Sequence, residues 1–202
     1  MNVDAALSPG LVDTLVDRGW VRQDGFLPAA LASALAEECR ALTATGALKA
    51  AGVGRGATPQ LRPDIRGDHI QWLKDGQSAA CDAYLALMEQ LRATLNRELY
   101  LGLADYESHF AWYPVGAFYR QHLDRFRDDD LRTVSVVIYL NDDWQPADGG
   151  ALRLAPPGRE PIDILPLAGR MAMFMSADMP HEVLPATRER MSIAGWFRRR
   201  AT

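Results

Sequence analysis

Cysteine is nearly absent: Cys39 and Cys81 are the only two, and neither belongs to a Cys-x-x-Cys pair. One disulfide is the most they can form, which excludes a disulfide-stapled scaffold and a cysteine-rich zinc module and fits a reducing cytoplasm. No apolar run approaches the roughly 18 residues of a membrane span. The first residues carry Asp4, Asp13 and Asp17 and no basic cluster ahead of an apolar stretch, so they do not read as a secretory leader. Positive charge is not in excess either. A net charge of −4 argues against nucleic-acid binding by bulk electrostatics. Lysine supplies only 2 of the 22 basic residues, a bias of composition rather than a functional signal. Internal repeats and low-complexity segments are lacking too. What is there is 202 residues, 48% apolar and 24% charged, the make-up of one soluble globular domain with a sizeable core.

The chain reads as a single domain, 1–202, helical over about 1–104 and strand-rich over about 105–198. Ser8-Pro9 is a helix start, Leu11, Val12, Leu15 and Val16 make one apolar face, and Gly19 is a stop. Trp20 to Gln23 reads as a short strand. The Ala- and Leu-rich run from Pro28, with Leu31, Leu35 and Leu42, predicts a second helix ended by Gly46. A third runs from near Ser78 to before Gly102, with Tyr84, Leu87, Met88, Leu91 and Leu95 at helical spacing. Between the second and third, Gly52, Gly54, Gly56, Pro59, Pro63 and Gly67 exclude regular helix. The stretch from Gly52 to Ile70 reads as a lid loop, with Arg55, Arg62 and Arg66 giving positive character beside Asp64 and Asp68.

After Asp105 come short strand-like runs: Phe110 to Tyr113, Phe118 to Leu123, Thr133 to Leu140, Gly150 to Leu154, Ile162 to Leu165, Arg170 to Phe174, His181 to Leu184 and Met191 to Phe197. Asp148-Gly149-Gly150 and Pro156-Pro157-Gly158 are turns between them. Eight strands at roughly ten-residue spacing predict a mainly β fold with flanking helices. The expected architecture is a double-stranded β-helix (jelly-roll) barrel with the N-terminal helices packed on one face.

Only four histidines are available: His69, His109, His122 and His181. His122-Leu123-Asp124 is a His-x-Asp triplet, and on a strand its two side chains share a face. With 18 aspartates in the chain such a triplet also arises by chance, as a surface turn with incidental charge. His181 opens another strand and could supply a third ligand. Two histidines and one carboxylate leave open positions on an octahedral Fe(II), the arrangement suited to oxygen activation. Arg190, nine positions after His181, opens an apolar strand where an unpaired guanidinium is costly. It needs an anion, such as a ligand carboxylate, unless it lies at an edge and points to solvent.

Several motifs in order resemble the 2-oxoglutarate- and Fe(II)-dependent prolyl hydroxylases of the hypoxia-inducible-factor type and their bacterial relatives. The matching text is Tyr113-Pro114, His122-x-Asp124, Tyr139-Leu140-Asn141 with Trp144, and Gly149-Gly150 before Leu152. It continues with Pro180-His181-Glu182-Val183, Pro185, Arg190 and Trp196, while Asp64 to Asp68 with Trp72 resembles the mobile loop of the group. The resemblance covers about residues 20–198 and favours this group over collagen-type hydroxylases, which have a lysine in place of Arg190. It implies His122, Asp124 and His181 as catalytic iron ligands, and Arg190, Tyr139 and Tyr113 around the cosubstrate. Arg66, Asp68, Arg132 and Trp196 fall at substrate-groove positions. Fe(II), 2-oxoglutarate, O2 and the reductant ascorbate are the implied cofactors. A prolyl residue in a protein or peptide is the implied substrate, with elongation factor Tu suggested by bacterial relatives. The run Arg125 to Asp130 departs from the Gly- and Asn-containing turn of the animal enzymes.

The remaining features have plainer readings. Gly52-x-Gly54-x-Gly56 lacks the Gly-Lys-Ser/Thr of a phosphate loop. Met171, Met173 and Met175 read as core, Asp128 to Asp130 as a solvated turn, and Arg198 to Arg200 as a solvated tail. His69 and His109 read as ordinary polar residues, and Glu182 faces away from His181 on a strand. Two alternatives stand beside prolyl hydroxylation: an oxygenase of the same fold for a free amino acid or small metabolite, and a non-catalytic metal- or ligand-binding jelly roll.

Overall fold

The computed structural model describes residues 7–53, 60–125 and 131–200. Three helices, α1 (Leu11–Arg18), α2 (Ala29–Ala44) and α3 (Ala79–Leu99), precede most of the strands. Gly19 closes α1 at φ 74°, and the Ser78 hydroxyl accepts the Cys81 N–H to cap α3. The strands are β1 (Trp20–Gln23), β2 (Lys49–Ala50), β3 (Gly52–Val53), β4 (Gln60–Leu61), β5 (His69–Trp72), β6 (Leu103–Tyr113) and β7 (Tyr119–His122). They continue with β8 (Arg132–Tyr139), β9 (Leu152–Leu154), β10 (Ile162–Ile164), β11 (Met171–Met175), β12 (His181–Val183) and β13 (Arg190–Arg199).

A large antiparallel sheet, β1-β11-β8-β13-β6-β5-β2, faces a smaller one, β10-β9-β12-β7, and together they form the jelly roll. Period-two alternation sorts every side chain of the large sheet. Along β13, Met191, Ile193 and Phe197 join Val134, Val136, Ile138, Met171 and Met173 beneath the helices, against Leu15, Leu35, Met88 and Leu91. The other face packs Tyr113, Tyr139 and Phe174 against Leu152, Leu154, Ile164 and Val183 of the small sheet. Gly195 lies under Tyr106, whose phenol occupies the space a Cβ would need and bonds Tyr84 Oη at 2.6 Å. Cys39 and Cys81 are buried thiols. No described helix is long and apolar enough to cross a membrane.

Three expectations need correction. The Gly/Pro segment is not all loop, for it supplies β3, β4 and the start of β5, and β5 pairs with β6 in the large sheet. Pairing to a long neighbour overrides local composition there. Residues 54–59, which include Arg55, lie outside the described residues, as do 126–130 with Asp128 to Asp130. β7 ends at His122, so Asp124 sits just beyond the strand rather than in it. Arg198 and Arg199 are not a solvated tail: they belong to β13, where Arg198 pairs with Asp105 at 2.7 Å and Arg199 donates to Leu101 O.

Candidate active site

His122 ends β7 and His181 opens β12, and the two stand opposite each other in the ladder. Asp124, two residues on, turns in beside them. One donor atom from each of the three lies within 4.8 Å of the others. His122 Nε2 is 3.6 Å and His181 Nε2 3.5 Å from the Asp124 carboxylate. Each Nδ1 meets a backbone carbonyl, Arg120 O at 2.8 Å and Met179 O at 3.0 Å. A carbonyl only accepts, so Nδ1 carries the hydrogen and Nε2 presents its lone pair. Burial works to raise the Asp124 pKa, but His181, His122 and the Ser135 hydroxyl outweigh it and hold the group a carboxylate. Ser135 Oγ donates to Asp124 Oδ2 at 2.7 Å and shares a bond with Ser176 Oγ. Burial lowers the His181 pKa and keeps that imidazole neutral. Two imidazoles and one carboxylate, with the remaining directions open to a cavity, fit a six-coordinate divalent metal such as Fe(II).

The cavity has a volume of about 510 Å³, and Arg190 stands at its inner end, 1% exposed. Arg190 Nε donates to Gly150 O at 2.9 Å and Nη1 to Ser192 Oγ at 3.2 Å. Tyr113 and Tyr139 flank the guanidinium with ring centres 5.0 and 5.3 Å away. No carboxylate pairs with it among the described residues. The buried Tyr139 hydroxyl lies near Arg190 but makes no hydrogen bond of proper distance and angle. Burial pushes that phenol up to about 12, so it is a donor at neutral pH. A guanidinium without a counter-ion beside an unused O–H is a fitting cradle for a carboxylate.

The motif residues around it are its scaffold. Asn141 Oδ1 accepts Met191 N–H at 2.6 Å while its Nδ2 donates to Met191 O and Pro166 O, which clamps the start of β13. Trp144 Nε1 donates to Gly149 O. Gly149 and Gly150, at φ 71° and 67°, have no room for a side chain: a Cβ would meet Pro185 O at Gly149, and Ala186, Trp144 and Arg190 at Gly150.

The outer part of the cavity collects the four residues expected along a substrate groove, Arg66, Asp68, Arg132 and Trp196. Their charges are cancelled locally. Arg66 makes a bidentate pair with buried Asp68 at 2.7 and 2.6 Å, and Arg132 pairs with Glu107 while lying 3.6 Å over the Trp196 ring. Arg62 likewise pairs with Asp64, so the described part of the loop lacks the positive character expected of it. Trp72, read only with the loop motif, and His109, read as an ordinary polar residue, also line the cavity, and their rings meet edge-on at 5.0 Å. His109 is no ordinary surface polar group: burial pushes its pKa down to about 4. Alternation along β6 with Ala111 and Tyr113 was the signal that could have found it.

A two-histidine, one-carboxylate centre inside a jelly roll, beside a buried carboxylate cradle, defines a non-haem iron oxygenase. The signature of the 2OG-Fe(II) oxygenase superfamily matches residues 108–198, and the chain belongs to that superfamily, whose members use Fe(II), 2-oxoglutarate and O2. A crystal structure of a Pseudomonas putida prolyl-4-hydroxylase is 54% identical, with a TM-score of 0.85, over 95% of this chain and 98% of that one. A Trichoplax adhaerens prolyl hydroxylase, in complex with a peptide fragment of the hypoxia inducible factor oxygen degradation domain, is 28% identical. Its TM-score is 0.83 over 98% of this chain and 90% of that one. Human prolyl hydroxylase EGLN3 is 29% identical over 93% of this chain and 81% of its own length.

Proposed function

We propose that this chain hydroxylates a prolyl residue within a polypeptide, with Fe(II) on His122, Asp124 and His181 and 2-oxoglutarate on Arg190 and Tyr139 beside Tyr113. When bound, the metal and cosubstrate supply oxygen activation coupled to breakdown of 2-oxoglutarate to succinate and CO2. The chain's part is to hold and orient. Arg190 offers a planar fork and Tyr139 an O–H to the far carboxylate, a geometry that an ammonium cannot reproduce. Ser135 keeps the Asp124 carboxylate turned to the metal.

The observation that carries the choice of substrate is the charge pairing at the outer end of the cavity. A free amino acid brings an ammonium and a carboxylate and needs unpaired counter-charges, since an unpaired buried charge is costly. Arg66 and Arg132 already hold Asp68 and Glu107, and the wall between them is the aromatic set Trp72, His109 and Trp196. That surface suits an uncharged ring within a peptide. The relatives named above, all three described as prolyl hydroxylases and one of them bound to a peptide, support the same choice.

The test incubates the protein with Fe(II), 2-oxoglutarate and ascorbate against prolyl peptides, intact elongation factor Tu and free proline. Succinate release and the gain of one oxygen in the substrate are the readouts. Turnover of prolyl peptides is expected, with elongation factor Tu the proposed protein target. Free proline outrunning every peptide and protein would overturn the reading. The proposed location is the cytoplasm, where the thiols of Cys39 and Cys81 stay reduced.

A further inference from the structure

His122 is the ligand candidate with the least support from the core. β7 is an edge strand of the small sheet, and the His122 side chain is 19% exposed against 6% for His181. Its Nδ1 bond to Arg120 O fixes one direction within the ring plane but leaves the tilt of the plane to its neighbours. Tyr119 supplies the tilt: the two rings lie 3.7 Å apart at 16°. Residues three apart on a regular strand face opposite sides. Here the register between His181 and Val183 shifts, so that two steps of β12 span the three from Tyr119 to His122. This bulge brings both rings to one face.

Arg66 stands 4.3 Å over the Tyr119 ring. Two groups so close to one ring centre cannot share a face, so Arg66 covers the side away from His122. Buried Asp68 holds the guanidinium flat through its bidentate pair. The backbone sets the same column in register. Residues 65–67 lie along the free edge of β7, with Gly67 N–H donating to Phe118 O, Arg120 N–H donating to Ile65 O, and Arg66 bridging Tyr119. Arg120, whose carbonyl accepts the His122 Nδ1 bond, also donates through Nε to Asp64 O at 2.6 Å. Both constraints on the His122 ring therefore run through residues 64–68.

We infer that Arg66 and Tyr119 are positioning residues for the metal centre, the stack Arg66–Tyr119–His122 fixing the plane of the His122 imidazole. The inference rests on the reading of His122 as a metal ligand. It gives Arg66 a task apart from touching substrate, and it links the segment beside the substrate groove to the geometry of the iron site.

The test measures Mn(II) affinity and the visible absorption of the Co(II) form without substrate. Tyr119→Leu should weaken Mn(II) about tenfold, the scale of losing a group that orients a ligand, and shift the Co(II) bands. Arg66→Lys keeps the charge but not the flat guanidinium, and should move both readouts the same way by a smaller factor. Tyr119→Phe keeps the stack and should stay within about twofold of the parent. Thermal melts of each variant establish that it is folded. Parental affinity and spectrum in both Tyr119→Leu and Arg66→Lys would overturn the inference. So would equal losses in Tyr119→Leu and Tyr119→Phe, which would assign the effect to the hydroxyl. Mn(II) binding that survives His122→Ala instead defeats the metal-site reading itself, a separate outcome.

Discussion

The two ends of the cavity both carry arginine and use it in opposite ways. Arg190 lies at the inner end on the central strand of the large sheet, enclosed and without a carboxylate partner among the described residues. Arg66 and Arg132 stand at the outer end, each over an aromatic ring and each paired with an acid, Asp68 for Arg66 and Glu107, which Arg198 shares, for Arg132. A buried guanidinium left without a counter-ion is costly, and a fold that retains one has kept a place for a ligand's charge. Arginines already paired offer shape instead. The inner end thus selects by charge and the outer end by form.

The comparison breaks first at the metal. His122→Ala, Asp124→Ala and His181→Ala should each reduce succinate formation to background, because three ligands are the whole protein contribution; one variant that keeps turnover would remove the site. Arg190→Lys should raise the KM for 2-oxoglutarate about tenfold or more, the scale of a lost charged hydrogen bond, and leave the peptide KM nearly unchanged. If the peptide KM rises instead, the division between the two ends is wrong.

His109 sharpens the outer end by pH. Burial depresses its pKa from 6.5 to about 4 in the folded protein, near Asp68, Arg66 and Arg132. Between those values the unfolded chain binds the extra proton, so this contribution is present above about pH 6.5 and is lost as pH falls toward 4. The loss reaches about 3 kcal/mol below pH 4. Urea unfolding across that range should show a shallower pH slope for His109→Phe than for the parent; equal slopes would mean that the imidazole is not held neutral. The smallest effect is structural. Gly195→Ala must displace the Tyr106 phenol and should cost about 1–3 kcal/mol of stability, read as a lower melting temperature, with little change in the KM for 2-oxoglutarate.

The barrel was legible in the sequence because its strands alternate, with turn residues between them. All eight runs expected after Asp105 correspond to β6 through β13, and Trp20–Gln23 is β1. β5 was not legible. Four residues, His-Ile-Gln-Trp, carry no pattern of their own, and only the neighbouring β6 makes them a strand. Residue type and spacing suggested the triad and Arg190, an arginine that opens an apolar run, and the family resemblance singled them out. The pairing of Arg66 with Asp68 over Tyr119 could not be read that way, because it depends on a bulge and on an edge contact between segments some fifty residues apart. Arg198 looked like part of a basic tail because its partners, Asp105 and Glu107, lie across the sheet on β6.

The place of β13 in the large sheet bears on how the protein acquires its structure. It follows every other strand of that sheet in the chain, yet it lies between β8 and β6, which have no other link to each other within the sheet. Until it inserts, the sheet is two separate halves, β1-β11-β8 and β6-β5-β2, each with an open edge. Folding must therefore wait for contacts between residues up to nearly a hundred positions apart, which sets a slow, high-contact-order step. A ribosome stalled before Arg190 would hold a nascent chain exposing two unpaired β edges, a species prone to aggregation and a natural client for chaperones.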